Sequence, residues 1–363
     1  MDKLKVGILG ATGAAGLEFV RALDNHPWFQ VCELYASSRS SGNTLRNACM
    51  LNTSEISDSI ADIKISSLSD INYSLDLLCS ALPSDVAREV EANCAKKTPV
   101  ISTTSAYRYE DDVPVVITEV NASHYNLLSS QSNRGWSGWI APGPNCTTVG
   151  LVMSLKPLID SFGIKEVIMS SYQAVSGGGA SLIAKWCKQK NVGPGALNVN
   201  EPFIEGNVIG YIKDEEDKVR KESKKILGSY TSSMILPAVF DIDCTCVRVP
   251  VLNGHFESVF VKTNKHCSVE DVKLAFKSFN DYCANEFGSL PSSPKETLVL
   301  LDRAPQPLFD ASINGGMSAV VGRIECGFID NLIKYEVISN NTQKGAAKGS
   351  VQFTEYLYKK GFF

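Results

Sequence analysis

Lys5-Val6-Gly7-Ile8-Leu9-Gly10-Ala11-Thr12-Gly13-Ala14-Ala15-Gly16 decides the fold. The apolar run to Leu9 reads as a short strand, and glycines at positions 7, 10, 13 and 16 set a turn behind it. A helical pattern follows, with Leu17, Val20 and Leu23 on one face before Pro27. Phe29-Gln30-Val31-Cys32-Glu33-Leu34-Tyr35-Ala36 is then a second strand. Strand, glycine turn, helix and strand within about thirty residues make the βαβ unit of a dinucleotide-binding fold. The spacing is not the usual G-x-G-x-x-G, so context carries the reading: the turn follows a strand and opens a helix. Backbone N–H groups and a helix N-terminus there suit a pyrophosphate, and Thr12 adds a hydroxyl donor.

The end of the second strand selects the cofactor. An NAD site usually places a carboxylate there for the ribose 2′-hydroxyl. Here the residues are Ser37-Ser38-Arg39-Ser40, with no acid. Hydroxyls and a guanidinium would hold a 2′-phosphate that a carboxylate would repel, which favours NADP. Taken alone, the same residues are a plain polar turn.

Further along, short strands at Leu75 to Ser80 and Pro99 to Ser102 flank a helix at Asp85 to Lys96, an alternation that argues for a parallel sheet. After Pro142-Gly143-Pro144 the texture changes. Strand-like stretches appear at Glu166 to Tyr172, Cys244 to Val251, His255 to Thr263, Ala319 to Glu325 and Ile333 to Ser339, with helices at Asp214 to Leu227 and Val269 to Phe287. The expected class is α/β: a Rossmann-type domain over residues 1–144 plus 341–363, and an α+β domain over 145–340 with a large, mainly antiparallel sheet. Gln343 to Lys360 is expected to be a helix that returns to the first domain. Ser129 to Gly138 reads as the most flexible loop.

A length of 363 residues suits two domains, and a net charge of −4 offers no basic surplus for nucleic acid or an anionic membrane. No run approaches the ~18 apolar residues of a membrane span. The start has neither the apolar stretch nor the cleavage site of a signal peptide. Eleven cysteines without paired spacing suggest reduced thiols and a cytoplasmic setting, and four histidines are too dispersed for a zinc site.

Four islands carry chemistry. Pro144-Asn145-Cys146-Thr147-Thr148 precedes a helical pattern through Leu151, Leu155 and Leu158, so the helix dipole and free N–H groups are expected to lower the Cys146 pKa toward thiolate. Most cysteines are buried and inert; polar neighbours single out this one. Arg248-Val249-Pro250-Val251-Leu252-Asn253-Gly254-His255 places a histidine at a strand start, able to act as general base and acid beside a reactive cysteine. Arg248 can hold a carboxylate bidentately. A histidine there could equally cap a turn. Ser171 to Gly179 is a strand running into a glycine loop, and Glu215 to Glu222 is a charged helical run of the kind that usually faces solvent.

Together these islands resemble aspartate-semialdehyde dehydrogenase over nearly the whole chain. Gly10-Ala11-Thr12-Gly13 resembles that family's cofactor turn and Asn145-Cys146-Thr147-Thr148 its nucleophile motif. Gln173-Ala174-Val175-Ser176-Gly177 and Arg248-Val249-Pro250-Val251-x-x-Gly254-His255 match two more. Arg303-Ala304-Pro305-Gln306-Pro307, Gly315-Gly316-Met317 and Asn341-Thr342-x-x-Gly345-Ala346-Ala347 are similar to the fungal and archaeal branch. The resemblance implies Cys146 as nucleophile, His255 as acid/base, and Asn145 and Gln173 as orienting groups. It implies Arg248 for the substrate carboxylate and Glu216 for its ammonium, with Glu215 one residue away, and Arg108 and Lys218 for phosphate. NADP would touch Gly10, Thr12, Gly13, Ala14, Ala15, Ser37, Ser38 and Arg39, with Ser80, Ala81 and Gly316 added. Substrates would be aspartate β-semialdehyde and phosphate, in lysine, methionine and threonine biosynthesis, in a homodimer or homotetramer. Ala15, Ala141-Pro142-Gly143 and Gly178-Gly179-Ala180 depart from the commoner pattern.

Two kinds of alternative stand beside this reading. One is another reductase of the same reaction class, acting on malonyl-CoA or on an acyl phosphate such as N-acetylglutamyl phosphate. Asn-Cys-Thr-Thr fits the acetylglutamyl case poorly, and an acid for the ammonium discriminates against malonyl-CoA. The other is a non-catalytic NADP-binding regulator.

Overall fold

A computed structural model describes residues 2–190 and 203–363. The opening run forms β1 (Leu4–Leu9), buried from Val6 onward. Continuous rather than alternating burial is what a parallel strand covered on both faces requires. Helix α1 (Ala14–Leu23) buries Leu17, Phe19, Val20 and Leu23, and β2 (Phe29–Ala36) lies parallel to β1. The glycine turn is tight. Gly10 has φ +81°, and a Cβ on Gly16 would stand 2.1 Å from the Gly10 carbonyl oxygen, so no side chain fits.

Helices α2 (Leu45–Ala48) and α3 (Asp58–Ala61) lead to β3 (Ile65–Ser67). Then come β4 (Leu77–Ser80), α4 (Ser84–Ala95), β5 (Val100–Ser102), α5 (Thr118–Asn121) and β6 (Ile140–Pro142). The first sheet runs β3-β2-β1-β4-β5-β6, every pair parallel. That order reverses between β1 and β4, and in such sheets ligands sit at the carboxyl ends beside the reversal. The segment read as a flexible loop is largely ordered instead: Ala122–Arg134 is a 3-10 stretch. Gln131 is fully buried and exchanges two bonds with the Ile140 backbone, at 2.9 and 2.8 Å.

Helix α6 (Cys146–Phe162) opens the second unit. It continues through β7 (Ile164–Gln173), α7 (Gly179–Gln189), α8 (Glu215–Ile226) and a small β8 (Ser229–Tyr230)–β9 (Ile235–Leu236) pair. β10 (Asp241–Arg248), β11 (His255–Thr263), α9 (Val269–Phe287), β12 (Leu298–Leu300), α10 (Pro307–Asp310), β13 (Ala319–Cys326) and β14 (Leu332–Ser339) complete it. The sheet order is β10-β7-β11-β14-β13-β12. Here the expectation of a mainly antiparallel sheet needs correction, because the sheet is mixed. β7–β11, β11–β14 and β13–β14 are antiparallel, but β10 runs parallel to β7 and β12 to β13. The long connections through α7–α8 and through α10 are crossovers, and crossovers return a strand in the same direction.

α6 packs across the inner face of this sheet, with Leu151, Leu155 and Leu158 buried. The outer face leaves Ile168, Tyr172 and Phe260 exposed. The final helix α11 (Ala347–Lys359) begins four residues later than Gln343 and packs on α1, as the expectation required. A buried network pins it: Lys344 donates to Glu119 and to Gln352, and Gln352 donates back to Glu119 at 2.8 Å. Among the described residues no helix is long and apolar enough to cross a membrane. No cluster of His, Cys, Asp or Glu among them could hold a metal.

Candidate active site

Strand register assembles the site. Gln173 pairs with Arg248 in the parallel β7–β10 register, and Phe256 pairs with Tyr172 across β7–β11. Gln173, Arg248 and His255 therefore lie at one end of three adjacent strands. All three are buried, on the inner face that alternation assigns them. The N-terminus of α6 stands over that end. Asn145 caps it, its Oδ1 accepting from Thr147 N at 2.8 Å and Thr148 N at 3.2 Å. Cys146 is the first helical residue, and its Sγ is 3.2 Å from His255 Nε2. Residues 109 apart in the chain are thus in hydrogen-bond contact.

Charges surround the pair. Glu215 Oε1 accepts from Asn145 Nδ2 at 2.9 Å, Thr147 Oγ1 at 3.1 Å and Gln173 Nε2 at 3.2 Å, while Lys218 Nζ reaches Oε2 at 3.5 Å. Glu216, the acid expected here, points elsewhere and accepts from Cys246 N at 3.2 Å. The correction follows from helix phase: neighbouring residues diverge by about 100° at 3.6 residues per turn, so only one of the two can face the sulfur. Arg248 donates through Nη1 to Ala174 O at 2.7 Å and makes no ion pair among the described residues. Arg108 is anchored on three sides, to Gly143 O at 2.8 Å, Thr103 O at 3.0 Å and Glu222 at 3.1 Å. Glu222, fully buried, also accepts from Asn145 N at 2.6 Å, tying Arg108 to the nucleophile turn. Glu222 lay in the charged run taken for a solvent face. Its spacing from Glu215, two helical turns, was the available signal.

The thiol is not what the helix dipole alone predicts. Burial, and next the Glu215 charge, push the Cys146 pKa up to about 12; Arg248, Arg108 and the helix N–H only partly oppose this. Burial, and next Arg248, hold His255 down at about 3. In the free protein, then, both groups are neutral near pH 7. Alkylation of Cys146 by a neutral reagent is expected to rise about ten-fold per pH unit from about pH 7 to about pH 10, because thiolate is the reacting form. Peptide mapping of the labelled protein checks this, and a plateau near neutrality would mean the sulfur is already ionised.

A cleft of about 590 Å³ runs from the glycine turn to the sulfur, lined by Ala14, Ala15, Arg108, Asn145 and Cys146 among others. Gly13 caps α1 without a side-chain bond, so the first N–H groups of the helix remain available to an anion. Gly10 and Thr12 belong to the same turn. Ser37, Ser38 and Arg39 are exposed on the loop after β2, and Arg39 has no partner among the described residues. Glu33, the acid nearest that strand end, is engaged by Tyr35 and Asn72. These residues fit a dinucleotide with a 2′-phosphate. Ser80 fits less well than expected: it is fully buried, so only its half-buried neighbour Ala81 offers surface at the end of β4. Gly316 is also buried, with φ +75°, and its carbonyl accepts from Lys344 N at 3.2 Å.

Residues 5–128 match the family model for the semialdehyde dehydrogenase NAD binding domain, and residues 155–344 match that for the semialdehyde dehydrogenase dimerisation domain. Aspartate-semialdehyde dehydrogenase of Archaeoglobus fulgidus is 39% identical, over 99% of both chains. Its counterpart from Candida albicans is 34% identical, again over 99% of both. A crystal structure of the Candida albicans aspartate semialdehyde dehydrogenase with NADP superposes with a TM-score of 0.83, covering 100% of each chain at 32% identity. With the nucleophile turn, the histidine strand and the glycine turn all in place along its full length, this chain belongs to the aspartate-semialdehyde dehydrogenase family.

Proposed function

We propose that the chain interconverts aspartyl-β-phosphate and aspartate β-semialdehyde with NADP(H), through a thioester on Cys146. The observation that carries this reading is the pairing of opposite charges around one sulfur: a buried, unpaired guanidinium at Arg248 and a carboxylate at Glu215, beside a Cys146–His255 contact of 3.2 Å. An α-amino acid presents a matching carboxylate and ammonium. A buried cation with a single carbonyl partner is costly until an anion arrives, which makes Arg248 a carboxylate receptor rather than a structural group. We assign the ammonium to Glu215 in place of Glu216. Arg108 and Lys218 would take phosphate, Arg108 with two of its five donor hydrogens still unengaged.

Chemistry then follows from the residues. The Cys146 sulfur attacks the aldehyde carbon, and the Asn145 amide hydrogen not held by Glu215 is available to the new oxygen; Gln173 would join it by giving up its 3.3 Å bond to Ser171 Oγ. His255 Nε2 is within reach of the same oxygen. When bound, NADP⁺ supplies the hydride acceptor. A thioester keeps the carbonyl activated until phosphate, held by Arg108 and Lys218, displaces the sulfur. The reverse direction would serve biosynthesis of lysine, methionine and threonine.

The apolar outer face of the mixed sheet, with Ile168, Tyr172 and Phe260 exposed, supports a dimer formed through residues 145–340. Residues 1–144 with 341–363 would form the cofactor domain, consistent with α11 packing on α1. Eleven free thiols suit a cytoplasmic location. Against a malonyl-CoA reductase stands Glu215, whose charge a malonyl thioester would leave balanced only by Lys218, at 3.5 Å.

NADPH formation from aspartate β-semialdehyde, measured with and without phosphate and with NAD beside NADP, tests the proposal. Turnover that needs phosphate and prefers NADP is expected. Turnover with malonyl-CoA and none with aspartate semialdehyde would replace it.

A further inference from the structure

Helix α8 carries four charged residues on one side. Glu215, Lys218, Glu222 and Lys225 are spaced 3, 4 and 3 apart, and at about 100° per residue they fall within an arc of about 80°. Glu215 and Lys218 stand at the nucleophile end. Glu222 holds the Arg108 guanidinium at 3.1 Å and accepts from the Tyr109 hydroxyl at 3.4 Å. Lys225, one turn further along, reaches the main chain beside them. Its Nζ donates to the Arg108 carbonyl at 2.8 Å and to the Glu110 carbonyl at 2.7 Å. The helix thus grips residues 108–110 by side chain and backbone at once.

That stretch of chain needs holding. Residues 103–113 contain no helix or strand, so no ladder fixes Arg108 in place. Their own backbone bonds are long: Arg108 N to Ser105 O at 3.3 Å, Glu110 N to Tyr107 O at 3.2 Å and Val113 N to Glu110 O at 3.3 Å. Both Lys225 bonds are shorter than any of these. The ion pairs of Glu110 with Arg88 and Arg134 face solvent and contribute little. The plain reading of Lys225 is a cation in the last turn of α8, set against the helix dipole. Lys224 in the same turn would serve for that, and its ammonium has no partner among the described residues. Lys225 is drawn inward instead. Burial brings its pKa down to about 8, opposed by the nearby charges of Asp111, Asp112, Glu222 and Glu110. Among the described residues no carboxylate lies within ion-pair distance of it. A cation withdrawn from water for two neutral carbonyls gains little in stability, which points to a geometric role.

We propose that Lys225 is a positioning residue for phosphate: by holding the carbonyls of Arg108 and Glu110 it fixes where the Arg108 guanidinium stands, and it touches neither substrate nor cofactor. This rests on the reading of Arg108 as a phosphate receptor. One helix then sets two receptors at a fixed separation, the ammonium site directly through Glu215 and the phosphate site through Glu222 and Lys225. Ten residues of α8 lie between Glu215 and Lys225, a span of about 15 Å. Phosphate can displace the sulfur only when it is held in line with the acyl carbon, and a misplacement of about 1 Å costs on the order of 10²-fold. Without Lys225, Arg108 keeps its side-chain bonds but shifts with its turn. The phosphate step then suffers, while the earlier attack of sulfur on the aldehyde does not.

The test uses the full-length protein and Lys225→Met, which keeps most of the side chain and removes its donors. NADPH released on mixing with NADP⁺ and aspartate β-semialdehyde, without phosphate, counts folded sites and reports the first half of the reaction. Expected are a rate for that half within about three-fold of the parent and a phosphate KM raised about ten-fold or more. In an Arg108→Ala background the same change should add nothing, because Lys225 acts only through Arg108. Lys225→Gln, a shorter donor of two hydrogens, should fall between the parent and the methionine variant, and it carries the test if Lys225→Met does not fold. An unchanged phosphate KM, equal losses in both halves of the reaction, or a full further loss in the Arg108→Ala background overturns the proposal. If Arg108→Ala itself leaves the phosphate KM unchanged, or the parent shows no turnover, the phosphate reading falls separately. Amide hydrogen exchange over residues 108–113 then decides the hold on this turn. Exchange about ten-fold faster in Lys225→Met upholds it, and exchange like the parent's overturns it.

Discussion

Cys146→Ala is expected to abolish phosphate-dependent NADPH formation, with a loss on the order of 10⁵-fold or more, because covalent catalysis has no substitute once its nucleophile is gone. The fold should hold. The helix start is secured by the Asn145 side chain and by Glu222 accepting from Asn145 N, neither of which involves the sulfur. Replacing a half-buried thiol by a methyl group should cost about 1 kcal/mol, a shift of a few degrees in Tm. Cys146→Ser is expected to be nearly as inactive, since a hydroxyl in the same setting is far less acidic and less polarisable than a thiol. Steady-state rates beside a thermal melt decide the matter. Turnover within about 100-fold of the parent in a folded alanine variant would remove the sulfur from the chemistry.

Arg248→Met carries the second large expectation. Its guanidinium is buried, has one carbonyl partner at 2.7 Å and no counter-ion among the described residues. In the complex it would face the α-carboxylate, and truncating one partner of a buried charge pair costs about 2–5 kcal/mol. The predicted result is a fall in kcat/KM for aspartate semialdehyde on the order of 10³-fold. The thermal effect should run the other way. Exchanging an uncompensated buried cation for an apolar chain of similar volume is neutral or stabilising, so Tm should stay level or rise. Lysine should rescue only in part, because an ammonium lacks the planar fork. A large drop in Tm with intact kinetics would make Arg248 a structural group instead.

The two halves of the molecule were unequally legible. The βαβ start could be read because each of its signals is local: an apolar run, glycines where only glycine fits, and a 3.6-residue apolar stripe before Pro27. Strand direction in the second sheet was not, since β7 and β10 look like any other strands and only the crossover between them makes them parallel. Pro250, which has no N–H to donate, ends β10 soon after Arg248, short of the expected Val251. The 3-10 segment at 122–134 was hidden by its serine, asparagine and glutamine content. The burial of Gln131 becomes intelligible only with the Ile140 backbone beside it.

At the site, residue types and motifs were enough to bring Cys146, His255, Gln173, Asn145 and Arg248 under suspicion, and the structure places them together. Which of Glu215 and Glu216 faces the sulfur depends on the rotational phase of α8, a few tens of degrees that no composition encodes. The ionisation of Cys146 was read from the helix dipole, a local effect, and came out reversed because burial and a carboxylate 69 residues away outweigh it. Glu222 acts by contacts made across the fold, to Arg108 and to Asn145 N, and its role is visible only once the two units are brought together.

A single pre-steady-state experiment addresses the covalent step itself. The protein is mixed with NADP⁺ and aspartate β-semialdehyde in the absence of phosphate, and NADPH absorbance and intact mass are followed together. The account predicts a burst of NADPH close to one equivalent per active site, an acyl group added at Cys146, and its loss on adding phosphate. No burst and no adduct, in a preparation that turns over when phosphate is present, would contradict it.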